Sequence, residues 1–385
     1  MKTARIAIVG GGLSGLYAAW LLHQQDEDYV LFEARDTLGG RIASPSVAMH
    51  PASTTGTDDI DRVDLGPTWF WPGYQRQLDR LVHELGLKRF EQFGEGDTMI
   101  DRSPHEVPIR IQGYAGAQDS MRVVGGMGAL IDALRQRLDP ARILLGQTVR
   151  RIRTVDADVE LESIDAQGRS TNWHGEHVLL AIPPRLADER IEFVPALPPA
   201  LAKQWRDTAT WMAPHAKYVA VYETPFWREQ GLSGEARSTS GPLVEIHDAS
   251  MPGGSAALFG FLGIPARVRA QIPESALLVH CRAQLTRLFG PQAAVPGKEF
   301  IKDWAQDPYT ATPADMESSG QHGQAPVATV ATGPWRGRLT AIASEWSPQF
   351  PGYLAGAIEA AGFGVHAATE SIVSERAQLA STSGA

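Results

Sequence analysis

At 385 residues the chain is long enough for two compact domains around a large buried core. Hydrophobic residues make up 43% and charged residues 21%, which excludes a mainly disordered chain, and a net charge of −9 offers no footprint for nucleic acid or an anionic membrane. No apolar run reaches the ~18 residues a membrane helix needs, and a lone cysteine, Cys281, excludes an intramolecular disulfide or a cysteine-rich metal cluster.

The first element is a β-branched run, Ile6 to Val9, that meets a glycine turn at Gly10, Gly12 and Gly15. A Leu/Ala-rich helix follows, opening on Leu13 and Ser14, and a second apolar run ends in Glu33. Strand, turn, helix, strand and terminal acid in this order describe a dinucleotide site. Gly10 allows the sharp turn, Gly12 lets the backbone approach a pyrophosphate favoured by the helix N-terminus, and Gly15 lets helix and strand pack closely. Glu33 is placed to accept hydrogen bonds from ribose hydroxyls and disfavours a 2′-phosphate. The three consecutive glycines interrupt the apolar run, and no cleavage site precedes the polar HQQDED segment, so this is not a secretory signal.

Ala34 and Arg35 lead to Leu38-Gly39-Gly40-Arg41, where two glycines let the main chain pass against a flat cofactor and an arginine faces its phosphates. SPSVAMHPASTTGTDDIDR reads as an excursion loop, and Asp64-Leu65-Gly66-Pro67-Thr68-Trp69-Phe70-Trp71 follows. Helical periodicity predicts a helix from Gln75 to Leu85 and another from Ala129 to Leu138, the latter opened by VGGMG. Strands are expected at 143–145, 149–153, 159–164 and 178–182, the last closed by Ala181-Ile182-Pro183-Pro184. KYVAVYE and 257–262 are further strands, with Pro225-Phe226-Trp227 and the glycine-rich SGEARSTSG between them. Cys281 belongs to a helix, as a buried apolar filler. LTAIASEW leads into a last helix, and the polar residues 379–385 read as a flexible tail. The eleven histidines show no metal-ligand spacing; His105, His174 and His177 lie in polar context and read as surface residues.

These motifs resemble, in order, those of the flavin amine oxidase superfamily, the monoamine oxidase-like FAD-dependent oxidoreductases. The resemblance runs from Ile6 to about Val373 through GGGLSG, LGGR, DLG, VGGMGAL, the strand at Val149 and Ile152, LLAIPP, PFW, DW…PYT and Glu345…Gly352-Tyr353. It implies an α/β fold: a Rossmann-like, GR2-type FAD-binding domain from residues 1–72, 119–199 and 301–378, and a discontinuous α+β substrate domain from 73–118 and 200–300. FAD contacts are expected from Gly10, Gly12, Leu13, Ser14 and Gly15, from Glu33, Ala34 and Arg35, and from Gly39, Gly40 and Arg41. Further contacts are expected from Gly66, Pro67, Thr68 and Trp69, from Val149 and Ala181, and from Trp304, Glu345, Gly352 and Tyr353. No metal is implied.

The resemblance places Tyr353 in an aromatic cage for the reacting amine and Trp304 near the flavin edge. Three departures stand out. Pro308-Tyr309-Thr310-Ala311-Thr312-Pro313 replaces the cysteine-bearing attachment segment, so FAD is expected to be non-covalent. Ala314 stands where the second cage tyrosine is expected, leaving Trp69 or Tyr309 to complete the cage. Met251 falls where many relatives place a lysine near flavin N5, with Lys217 or Lys302 as substitutes; Lys217, inside a strand, reads as structural. A missing lysine implies slow reaction with oxygen or a substrate other than a simple primary amine.

The expected activity is transfer of a hydride from the carbon next to an amine nitrogen to flavin N5. The substrate is a small amine, and oxygen or another acceptor reoxidises the flavin. A flavin desaturase or dehydrogenase acting on a C–C or ring C–N bond is the alternative enzyme, and a non-catalytic flavin-binding subunit the alternative outside catalysis. The expected compartment is the cytoplasm.

Overall fold

A computed structural model describes residues 2–47, 60–112, 119–317 and 324–383. Its centre is a five-stranded parallel sheet in the order Leu339–Ala341, His177–Leu180, Ile6–Val9, Tyr29–Phe32, Ile143–Leu144. Strands buried on both faces need side chains that are apolar at every position, which is why IAIV, YVLF and HVLL carry almost no polar residues. Alternation then sorts the two faces. Ile6, Ile8, Leu31 and Leu179 pack against helix α1 (Leu13–Gln24), α2 (Arg76–Glu84), α3 (Gly128–Arg135) and the C-terminal helix. Ala7, Val9, Val30 and Phe32 turn to the other side, against Val159, Leu161 and Trp173 of a second sheet.

That second sheet has five strands and contains Thr148–Val155, Asp158–Ile164 and Ser170–Gly175 as an antiparallel meander. The strand at Ser170–Gly175 escapes the sequence reading because STNWHG is polar; it alternates exposed and covered positions on a half-solvated sheet.

The third sheet has seven strands, in the order Lys298–Asp303, Ala216–Tyr222, Ala256–Leu262, Leu243–Asp248, Leu232–Ser238, Asp97–Asp101, Ile109–Ile111. One face packs on helix α4 (Glu274–Phe289), where Cys281 is fully buried among Leu277, Leu285 and Leu288. Val219, Val221, Ala257 and Phe259 form the opposite face, with Trp69 packed against them.

Three expectations need correction, and one stretch the sequence leaves unassigned gains a structure. The segment SGEARSTSG is mostly strand (Leu232–Ser238), its small polar residues fitting between neighbouring strands of a buried sheet. Helix α2, placed by sequence in the substrate domain, buries Leu78, Leu81 and Val82 in the core of the parallel sheet, because its apolar stripe has the C-terminal helix to cover it. Residues 379–383 continue the C-terminal helix α5 (Leu354–Ser383) instead of forming a tail, and 384–385 lie outside the described residues. His177 is 1% exposed, because it opens a central strand and bridges the Gly337 carbonyl and Thr340. His105 is exposed and His174 half-buried against Asp158.

Most of the excursion loop, 48–59, lies outside the described residues; its ends are paired by an antiparallel bridge between Ser46 and Arg62. Among the described residues no helix is long and apolar enough to cross a membrane.

Candidate flavin and amine site

A cavity of about 590 Å³ opens at the carboxyl ends of the parallel strands and extends under the seven-stranded sheet. Its first end is built by the initial turn. Gly10 has φ +111°, and a Cβ there would lie 2.7 Å from the Ala181 carbonyl oxygen. Gly12, Leu13 and Ser14 line the cavity at the start of α1, which has no side-chain cap and no acid in its first turn. Its free backbone N–H groups therefore remain available to an anion. Gly15 does not line the cavity. It permits the helix to approach, since a Cβ there would sit 1.9 Å from the Gly10 carbonyl oxygen.

Glu33 is 4% exposed and lines the cavity at the end of the second strand. Its Oε2 accepts from the Gly11 N–H at 2.7 Å and its Oε1 from the Arg35 N–H at 2.9 Å. Each carboxylate oxygen keeps a lone pair for a ribose hydroxyl. Ala34 and Val149 line the same end. Arg35 donates to Asp307 at 2.6 Å and lies 5.1 Å from the Tyr309 ring centroid. Tyr309 thus belongs to the Glu33 end, away from any amine cage.

Gly39 and Gly40, at φ +115° and +59°, bring the LGGR turn beside Gly12. Arg41 lines the cavity and forms a bidentate pair with Glu345, at 2.5 and 3.0 Å, and also donates to Ser344. Glu345 is 3% exposed and lies behind Arg41, off the lining. Its carboxylate is paired with the guanidinium, whose direction it fixes.

Gly66, Pro67, Thr68 and Trp69 run along the middle of the cavity, with Ala181 and Trp304. A Cβ on Gly66 would lie 2.0 Å from the Arg41 carbonyl oxygen, so this pass of the chain requires glycine. Trp304 donates from its indole to the Leu65 carbonyl. The far end is aromatic. Trp69 is held by Gln92 at 2.8 Å and packs on Phe259, which in turn packs on Phe261, and Trp71 also lines the cavity. Tyr353 and Trp211 face each other with ring centroids 6.5 Å apart and planes 31° apart. Gly352, at φ +83°, makes room for Trp211, since a Cβ there would lie 2.5 Å from that of the tryptophan.

Met251 is not on the lining. It sits in the turn after strand Leu243–Asp248, 4% exposed, with its sulfur 3.3 Å from the Gly125 N–H. The structure corrects the alignment there: Lys217 is the lysine of the cavity. It is 2% exposed on the fully buried strand Ala216–Tyr222 and donates to the carbonyls of Asp64 and Gly66, each at 2.9 Å, and to Thr68 Oγ1 at 2.6 Å. Its ammonium also lies 4.0 Å from the Phe259 ring centroid. Burial pushes Lys217 down to about 7, against the opposing field of Asp64. The sequence signal was present: a lone lysine in the otherwise apolar run AKYVAVY must be desolvated for a reason.

Trp211, Met212 and His215 also line the cavity and escaped the sequence reading. Met212 holds φ +62°, uncommon for a residue with a side chain. His215 Nδ1 is buried without a hydrogen-bond partner, and burial together with Arg269 lowers its pKa.

The chain is similar to known proteins over most of its length. The sequence profile of flavin containing amine oxidoreductases matches residues 101–368, and that of an NAD(P)-binding Rossmann-like domain matches 8–85. A probable flavin-containing monoamine oxidase A of Dictyostelium discoideum is 25% identical, covering 94% of this chain and 96% of its own. Putrescine oxidase of Kocuria rosea is 27% identical over 88% of this chain and 90% of its own. Among solved structures, cyclohexylamine oxidase from Brevibacterium oxydans IH-35A superposes with a TM-score of 0.77 at 21% identity, covering 96% of this chain and 99% of its own. A cradle of close-approach glycines, an acid at the second strand end, an uncapped helix N-terminus and an aromatic far end all fit FAD, and the chain belongs to the flavin containing amine oxidoreductases as an FAD-dependent oxidoreductase of the amine oxidase type.

Proposed function

We propose that this enzyme oxidises a hydrophobic amine carrying a single nitrogen, with FAD bound non-covalently and oxygen or another acceptor completing the cycle. The observation that carries this reading is the lining of the far end. Trp69, Trp71, Trp211, Met212, Phe261 and Tyr353 form it, and among the described lining residues the one carboxylate is Glu33, at the opposite end. A diamine would bring a second ammonium into this wall with no counter-ion, which costs several kcal/mol. An apolar body is favoured by burial there, and the aromatic faces attract an incoming ammonium.

FAD supplies the two-electron acceptor. The protein supplies the rest. Tyr353 and Trp211 orient the amine, Trp69 and Phe261 exclude water beside it, and Lys217 is present partly as a free amine at neutral pH, able to take a proton from the substrate ammonium at Nζ. The expectation of slow reaction with oxygen rested on Met251 and loses its ground with Lys217 in the cavity. The chain's one cysteine, Cys281, is buried in another core, so no thioether to the flavin forms. A cytoplasmic setting remains the reading from composition.

Two observations test this. Acid precipitation is expected to release all yellow colour into the supernatant; colour retained by the washed pellet contradicts non-covalent binding. Titration of the oxidised enzyme with benzylamine, cyclohexylamine and putrescine is expected to perturb or bleach the flavin spectrum with the first two at concentrations at least about tenfold lower. Equal or better response to putrescine contradicts the single-nitrogen reading.

A further inference from the structure

Lys217 raises a question that its burial alone does not answer. An ammonium has three N–H donors, and three acceptors surround Nζ: the Asp64 carbonyl, the Gly66 carbonyl and Thr68 Oγ1. Remove one proton and Nζ has two donors and a lone pair. The two carbonyls accept only, so they fix the two N–H groups in both states. The third partner is a hydroxyl, which accepts or donates. At 2.6 Å it is also the shortest of the three contacts.

Thr68 is 5% exposed and lines the cavity, as Lys217 does, so its oxygen is in contact with both the buried nitrogen and the reaction space. We propose that the Thr68 hydroxyl is the proton relay through which Lys217 exchanges a proton with the cavity. In the charged state Nζ–H donates to Oγ1, and the hydroxyl proton points to an acceptor in the cavity. When that proton moves to the cavity acceptor, Oγ1 takes the proton from Nζ and then donates it back to the nitrogen lone pair. One O–H and one N–H bond break, one O–H and one acceptor–H bond form, and no heavy atom moves. Thr68 is thus a positioning residue that lets a fully buried lysine change charge with every hydrogen bond kept. The inference rests on the proposed part of Lys217 in accepting the substrate's proton, but its test does not.

The other groups facing Nζ explain why the hydroxyl decides the balance. The Asp64 carboxylate, pinned by Ser44 and the Met127 N–H, favours the charged form, and buried Arg122 opposes it. The rings of Phe259 and Phe261 lie 4.0 and 5.7 Å from the nitrogen on the sheet side and cannot exchange a proton. His215, two residues away, also lines the cavity, and burial together with Arg269 favours its neutral form. Asp64 and Arg122 set a fixed field; Thr68 is the partner whose hydrogen bond reverses.

The chain has six lysines, so [13Cε]lysine-labelled full-length protein gives a readable NMR titration, with Lys217 assigned by Lys217→Met. Thr68→Val keeps the shape and removes the hydroxyl. The ammonium then loses a charge-assisted bond and the amine only an ordinary one, so the Lys217 inflection is expected to move at least one pH unit lower. Thr68→Ser is expected to titrate as the unmodified protein does. In the flavin-loaded enzyme the acidic limb of amine-driven flavin reduction should shift by the same amount in Thr68→Val and return in Thr68→Ser. An unmoved inflection in Thr68→Val overturns the relay, and so does a Thr68→Ser that behaves like the valine variant. The NMR titration does not depend on the identity of the substrate. Failure of amines to reduce the flavin while the NMR shift appears would strike the proposed function and leave the Thr68–Lys217 pairing standing.

Discussion

Glu33 shows how much one residue carries at the residue scale. Its two oxygens hold the Gly11 and Arg35 N–H groups, so the same carboxylate shapes the glycine turn and presents charge to the cavity. Glu33→Gln keeps the size and removes the charge; with each charge-assisted bond worth about 1.5–3 kcal/mol, FAD affinity should fall at least about tenfold. Flavin titration of the apoprotein checks this, and unchanged affinity would remove Glu33 from the cofactor site. Such residues were legible because their function is local: turn, acid and LGGR lie within one short segment. Lys217 was named only as a substitute, and Trp211 and His215 were missed, because they lie on the strand Ala216–Tyr222 and the turn before it, which no spacing rule links to Gly10 or Glu33. The slip from Lys217 to Met251 has the same origin. Met251 was expected there on the resemblance alone, whereas the informative signal is a charged residue inside a buried strand.

The element scale turns on the close seat of α1 against the first strand. With Gly15 the helix axis comes near enough for its N-terminal N–H groups to line the cavity. Any Cβ at this position meets the Gly10 main chain, which no rotamer change relieves. Gly15→Ala is therefore expected to cost about 1–3 kcal/mol of stability and to lower flavin retention together with it. Thermal unfolding with and without added FAD reads both effects, and an unchanged Tm would show that the helix sits farther out. Helix α2 was readable from its strong periodicity, and the long C-terminal helix from its Ala-rich run after Gly352-Tyr353. Ser170–Gly175 and Leu232–Ser238 were not, since their polar and glycine-containing sequences become strands only when neighbouring strands supply the pairing.

At the scale of the whole molecule, the parallel sheet carries a buried histidine that ties folding to pH. His177 bridges the Gly337 carbonyl and the Thr340 hydroxyl beneath the first strand, and burial pushes its pKa down to about 4. The folded chain thus binds fewer protons here than the unfolded one. Its contribution is complete above the ordinary histidine pKa of about 6.5 and declines as pH falls toward 4, by at most about 3 kcal/mol. Urea unfolding from pH 7 to pH 4 should show that loss, and His177→Gln should flatten the His177 part of the slope. An identical slope in the variant would place the acid sensitivity elsewhere.

The central claim is that this cavity joins a flavin to a hydrophobic amine with a single nitrogen. Anaerobic mixing of the purified flavoprotein with benzylamine or cyclohexylamine, followed by absorbance, tests it most directly. The account predicts bleaching of the oxidised flavin band in one phase, with one equivalent of aldehyde or ketone released per flavin after hydrolysis. A bound flavin that stays oxidised with every amine would contradict the account.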